Sequence, residues 1–215
     1  MRFVFDLDRT LIDTAPDLTD ALNYMLAQLG REQLARDQVL GMIGRGVRAL
    51  IESGLSATGG ITPEAVEQGL KIFLSYYEAH IADRSRPYEG VEATLDLLAA
   101  RGVKLAICTN KPERHTRKLL AAFGWTDRFA AIIGGDTLTA RKPDPAPLRE
   151  AILRSGGGSA VLVGDSITDV ETAAAAELPC VMVTYGYRDR AAKDLGATIL
   201  IDRFEELVAA LAKIA

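Results

Sequence analysis

The chain has 215 residues, 48% of them hydrophobic, enough to bury one substantial core or a core plus a small inserted module. Its 25 basic and 29 acidic side chains leave a formal charge of −4 with both signs interspersed, so no basic stripe points to nucleic acid or an anionic membrane surface. Apolar runs are only a few residues long, and Met1-Arg2 leads directly into a strand-like run, which argues against a spanning helix or a signal-peptide layout and leads to the expectation of a cytoplasmic protein.

In chain order, RFVF is the first strand-like run, and it stops at Asp6-Leu7-Asp8. Residues 15 to 86 then carry no strand pattern. PDLTDALNYMLAQLG reads as an amphipathic helix with an acidic first turn and Gly30 at its end. ITPEAVEQGLKIFLSYYEAHIAD reads as another, with Thr62 as N-cap and Pro63 at the first helical position. Between them GMIGRGVRALIE reads as a turn, with Gly44 and Gly46 supplying unusual backbone angles.

From residue 91 onward helix-like and strand-like segments alternate. A helical pattern over 91–101 precedes VKLAIC, which ends at Thr109-Asn110, and a second helix is predicted over 112–123. ARKPDPAPL holds Lys142 among three prolines and leads into a helix over 145–154. AVLV stops at Gly164-Asp165, before a helix over 168–176; CVMV and the weaker ATILI follow, with a last helix over 203–214. The strand-like runs are almost continuously apolar, as strands covered on both faces of a parallel sheet must be. Cys108 and Cys180 lie inside two of them, which suits small buried side chains better than a disulfide or a metal site. The predicted fold is a doubly wound α/β core formed by residues 1–14 and 87–215, with a helical module, 15–86, inserted after the first strand.

In such a sheet the carboxyl ends of the strands share one edge, where ligands bind at a switch in strand order. The polar ends of three runs would therefore meet: Asp6 and Asp8, Thr109 and Asn110, and Asp165, with Asp169 one helical turn on and Lys142 nearby. Several carboxylates cannot share a small site as anions without a cation. Oxygen donors with no clustered His or Cys suit a hard ion, Mg²⁺ above all. A metal, a lysine and backbone N–H groups after Thr109 are what a phosphate needs for charge neutralisation.

FDLDRTL, ICTN, KPDP and VGDSITD resemble, in order and across the whole chain, the four motifs of the haloacid-dehalogenase superfamily. DTAPDL, IGRGV, CTNKP, IGGD and TYGYR further resemble its phosphoglycolate phosphatases. The resemblance implies an Mg²⁺-dependent phosphomonoester hydrolase that works through an aspartyl-phosphate and converts 2-phosphoglycolate to glycolate and phosphate. It implies Asp6 as nucleophile and Asp8 as general acid and then base. Thr10 would orient Asp8, Thr109 and Asn110 would hold phosphate, and Lys142 would offset the charge on Asp6. Mg²⁺ would be held by Asp6, the Asp8 carbonyl and Asp165, with Asp169 a direct or water-mediated neighbour. The helical insert is implied to be a mobile cap, with Arg45 or Arg48 meeting a substrate carboxylate.

The aspartate at position 8 separates the chain from dehalogenases and P-type ATPases. Three alternatives stay open: a phosphatase of pyrophosphate, a sugar phosphate or a nucleotide; a phosphomutase such as β-phosphoglucomutase; and a non-catalytic binding protein. The expected partner is a small phosphorylated metabolite, and the expected state a monomer or homodimer. Arg9 is the one departure from the pattern, standing where glycine is usual. If the backbone there has a positive φ, arginine costs about 1 kcal/mol or more.

Overall fold

A computed structural model describes residues 1–186 and 192–210. It divides into two compact units, Thr14–Arg86 and Met1–Asp13 with Pro87–Ala215. The first strand is β1 (Arg2–Phe5). The helical unit follows with α1 (Ala15–Gln28), α2 (Arg36–Leu40), α3 (Val47–Ala57) and α4 (Pro63–Ala79).

Within the helical unit, α1 packs along α4 and α3, with Leu22, Met25, Leu26, Ile51 and Phe73 buried between them. A Cβ on Gly54 would come within 2.9 Å of the Leu22 side chain, so the absence of one lets α3 approach α1. The Thr62 hydroxyl accepts the Ala65 N–H at 3.2 Å and caps α4, with Pro63 in its first turn, as the sequence predicts. Buried Asp17 accepts the backbone N–H groups of Arg84 and Ser85 and the Ser85 hydroxyl, tying the start of α1 to the far end of the unit. GMIGRGVRALIE differs from its reading as a turn. Gly44 and Gly46 do have positive φ, but the segment from Val47 onward is the helix α3.

The second unit continues with α5 (Val91–Ala100), β2 (Lys104–Cys108), α6 (Glu113–Ala122), β3 (Ala131–Ile133) and α7 (Ala146–Arg154). Next come β4 (Ala160–Gly164), α8 (Ile167–Ala175), β5 (Cys180–Val183), β6 (Ile199–Ile201) and α9 (Leu207–Ala210). The strand β3 is absent from the sequence reading because three apolar residues are too few to register a period. The helix expected over 203–214 begins with a 3₁₀ turn, Phe204–Glu206; its residues 211–214, and the end of TYGYR from residue 187, lie outside the described residues.

These six strands, of the eight among the described residues, form one sheet in the order β3-β2-β1-β4-β5-β6, every pairing parallel. Alternation along β1 sends Phe3 and Phe5 to one face, where Phe5 meets Phe129 and Phe204. Val4 faces the other side, in a cluster with Leu162, Leu148 and Ala151 of α7, and Ala173 of α8. Both faces are thus covered, which explains why the strands read as unbroken apolar runs. Strand order reverses between β1 and β4, and Phe5 is in register with both Ile107 and Val163. The residues that follow β1, β2 and β4 therefore leave the sheet side by side, at the switch point.

Candidate active site

Asp6 extends β1 by one step, donating its N–H to the Val163 carbonyl at 2.9 Å, while its Oδ1 accepts the Leu7 N–H at 2.8 Å. The chain then turns tightly, the N–H groups of Leu11 and Ile12 both reaching the Leu7 carbonyl and Arg9 donating to the Ile12 carbonyl. This turn requires a left-handed residue, and it falls on Arg9, with φ 64°. On the neighbouring strand β4, Gly164 is required because a Cβ there would sit 2.2 Å from the Asp169 carboxylate carbon. That carboxylate folds back over the start of α8, its Oδ2 accepting the N–H groups of Asp165 and Ser166 and the Ser166 hydroxyl at 2.7 Å. Its other oxygen accepts Lys142 Nζ at 2.6 Å.

Lys142 is buried and bridges two carboxylates, with Asp6 Oδ1 at 3.2 Å as the second. The Asn110 amide donates to the Lys142 carbonyl at 3.2 Å and so holds the proline-rich segment against the end of β2. The IGGD glycines belong to the same packing. A Cβ on Gly135 would approach the Asn110 carbonyl oxygen to 2.3 Å, and one on Gly134 the Glu113 nitrogen to 2.4 Å.

Asp6, Asp165 and Asp169 each offer an oxygen within 4.8 Å of the others, and all three are buried. Burial raises the Asp6 pKa to about 6; Lys142 and a hydrogen bond from Thr109 lower it, while Asp169 and Asp8 add to the rise. Asp165 is pushed up to about 7 by burial, against the pull of Arg9. For Asp169 burial also opposes ionisation, but Lys142 and Ser166 outweigh it and the pKa falls below the usual carboxylate value. Burial disfavours the charged form of Lys142, yet Asp169 and Asp6 win and raise its pKa.

The structure thus brings Asp6, Asp165, Asp169, Thr109, Asn110 and Lys142 to one edge, with Asp8 beside them. It adds a residue that the sequence reading did not single out: Lys111, buried, reaches the Asp8 carboxylate at 3.0 and 3.3 Å. Its signal was its place directly after Thr109-Asn110, where the chain leaves the sheet edge. Thr10 differs from expectation. Its buried hydroxyl has no hydrogen-bond partner among the described residues, and it is the Thr10 carbonyl that is held, by the Tyr185 hydroxyl at 2.7 Å. Arg45 and Arg48 belong to the helical unit, both exposed. Arg48 is engaged with Glu67 at 2.6 Å and Glu52 at 3.9 Å.

The donor set fits a hard divalent cation. Asp165 is 1% exposed, and its carboxylate oxygens accept no hydrogen bond among the described residues. Although Arg9 Nε lies 3.2 Å from one of these oxygens, the carboxylate is short of hydrogen bonds, and the three ligand atoms that converge here are all carboxylate oxygens.

Fold and site together define a doubly wound α/β protein with buried carboxylates and lysines at the sheet's switch point. The haloacid dehalogenase-like hydrolase family matches residues 3–183. A phosphoglycolate phosphatase of Mesorhizobium japonicum is 43% identical over 213 residues, covering 98% of this chain and 94% of the relative. One from Rhodospirillum rubrum is 43% identical over 212 residues, covering 95% and 88%. Among solved structures, one described as a predicted phosphoglycolate phosphatase from Haemophilus somnus superposes with a TM-score of 0.92 at 30% identity, over 98% of this chain and 97% of that one. The chain belongs to the haloacid dehalogenase-like hydrolases.

Proposed function

We propose that this hydrolase is an Mg²⁺-dependent phosphomonoesterase whose substrate is 2-phosphoglycolate. The observation that carries the reading is the pairing of each early aspartate with its own buried lysine, Asp6 with Lys142 and Asp8 with Lys111, beside a carboxylate cluster suited to a cation. The naming of relatives 43% identical over nearly the whole chain supports the substrate.

In the first half-reaction an Asp6 oxygen bonds to phosphorus as the phosphorus–oxygen bond to the leaving group breaks, and protonated Asp8 gives its proton to the departing alkoxide. In the second, Asp8 takes a proton from water, the water oxygen bonds to phosphorus, and the bond to Asp6 breaks to release phosphate. Lys142 keeps Asp6 ionised at neutral pH despite its burial, and Lys111 fixes the direction of the Asp8 carboxylate. Thr109 and the backbone after it are the phosphate's hydrogen-bond donors. Asp6, Asp165 and the Asp8 carbonyl would hold Mg²⁺, which would supply charge neutralisation for the phosphoryl oxygens. Asp169, whose oxygens accept hydrogen bonds from Lys142 and Ser166, would stand beside the ion rather than ligate it.

In the helical unit, Arg45 is the better candidate for a substrate carboxylate, because Arg48 is paired with two glutamates. No helix among the described residues is long and apolar enough to cross a membrane. The test is phosphate release from a panel of phosphorylated metabolites, with Mg²⁺ and with EDTA. Turnover of 2-phosphoglycolate above the rest, lost with EDTA, is expected; equal, slow turnover of all substrates would remove the substrate assignment. An unchanged ratio of 2-phosphoglycolate to p-nitrophenyl phosphate turnover in Arg45→Ala would remove Arg45 as selector.

A further inference from the structure

Arg9 is in the left-handed region at φ 64°, which an arginine rarely adopts. Its side chain is only 4% exposed, and its Nε lies 3.2 Å from Asp165 Oδ2. The turn that carries it is pinned, with the Arg9 N–H on the Ile12 carbonyl and the adjacent Thr10 carbonyl on Tyr185. On another side of Asp165 the backbone of Gly186 passes so close that a Cβ there would lie 2.6 Å from the same Oδ2. The guanidinium therefore stands against the one carboxylate of the cluster that accepts no hydrogen bond among the described residues.

Resting on the metal reading above, we propose that Arg9 is a built-in competitor for the divalent cation: its guanidinium neutralises Asp165 in the metal-free protein and leaves Asp165 when the ion binds. A guanidinium and a divalent ion repel each other and cannot both occupy one small carboxylate oxygen at contact distance. The ion's affinity is therefore lowered by the cost of breaking the Arg9–Asp165 contact. In exchange, the metal-free protein avoids a buried, uncompensated carboxylate. Released from Asp165, the guanidinium remains a cation beside the site, and the competition sets the metal concentration at which the site is half filled.

The test is direct titration of the full chain with Mn²⁺, reading free Mn²⁺ by electron paramagnetic resonance. Wild type is compared with Arg9→Gly, which relieves the positive φ, with Arg9→Asn, which tolerates it, and with Asp165→Asn. Tightening of Mn²⁺ binding by tenfold or more in either Arg9 variant, with binding lost in Asp165→Asn, is expected. Equal or weaker binding in both Arg9 variants, with Asp165→Asn still defective, overturns the competition and leaves the metal reading standing. Mn²⁺ binding indifferent to Asp165→Asn, or absent from wild type and both Arg9 variants, overturns both.

Discussion

Replacing Lys142 by methionine keeps most of the side-chain volume and removes one charge from between Asp6 and Asp169. At an effective dielectric of about 20, unit charges about 3 Å apart attract by roughly 5 kcal/mol, and Lys142 makes two such contacts, at 3.2 and 2.6 Å. Desolvation of a buried lysine cancels much of this, so the expected cost is that of breaking a buried pair by removing one partner, about 3–5 kcal/mol. For a chain of this size that corresponds to a fall in Tm of about 6–20 °C. The cost depends on pH with a definite sign. The lysine's own pKa is raised by its carboxylates, so its contribution is complete below the ordinary lysine value and stays so from pH 5 to 8. What titrates is the pair it leaves behind. Without Lys142 the folded-state pKa values of Asp6 and Asp169 rise, the native state binds more protons than the unfolded one, and stability falls as pH rises. Urea unfolding of metal-free wild type and Lys142→Met at pH 5 and pH 8 measures this, with the larger difference expected at pH 8. A difference below about 1 kcal/mol, or the same difference at both pH values, would refute the reasoning.

Three further outcomes follow from the same geometry. Asp165 is raised from 3.8 to about 7 by burial, so metal-free wild type loses stability, on the order of a few kcal/mol, as pH climbs through that window; Asp165→Asn flattens the slope, which differential scanning calorimetry at pH 4 to 8 reads. Lys111→Met frees the Asp8 carboxylate from its buried partner, and if Lys111 positions the proton donor, kcat falls about tenfold or more while KM changes little. A fall in kcat/KM carried by KM alone would mean that Lys111 serves substrate binding instead. Gly164→Ala forces a methyl to 2.2 Å from the Asp169 carboxylate carbon, an overpacking expected to cost about 1–3 kcal/mol in urea unfolding; an unperturbed midpoint would show that Asp169 can move away freely.

The sheet and most of the site were legible because their signals are local. Unbroken apolar runs that stop at Asp6, Thr109 and Asp165 mark buried parallel strands and their carboxyl ends, and the register of β1 with β2 and β4 brings those ends together. The Thr62-Pro63 start of α4 was legible for the same reason, since cap and proline are adjacent in sequence. What escaped were contacts set by the sheet order. Nothing near position 9 in the sequence names Asp165 as the partner of Arg9; only the adjacency of β1 and β4 does. Lys111 and Asp8 are likewise joined only by the pairing of β1 with β2. Thr10 shows the converse error: the motif suggested a side-chain role, whereas the structure holds the loop through the Thr10 carbonyl and Tyr185. The helix α3 was missed because its two positive-φ glycines announced a turn and hid the amphipathic run that begins just after it.

The central claim is that Asp6 itself takes the phosphoryl group. Its direct test is to quench the enzyme in acid during turnover of 2-phosphoglycolate with Mg²⁺, reduce any acyl-phosphate with borohydride, and examine the N-terminal peptide by mass spectrometry. Homoserine at position 6, absent without substrate and absent in Asp6→Asn, is the predicted result. Steady turnover with Asp6 unmodified at every quench time, or undiminished activity in Asp6→Asn, would contradict it.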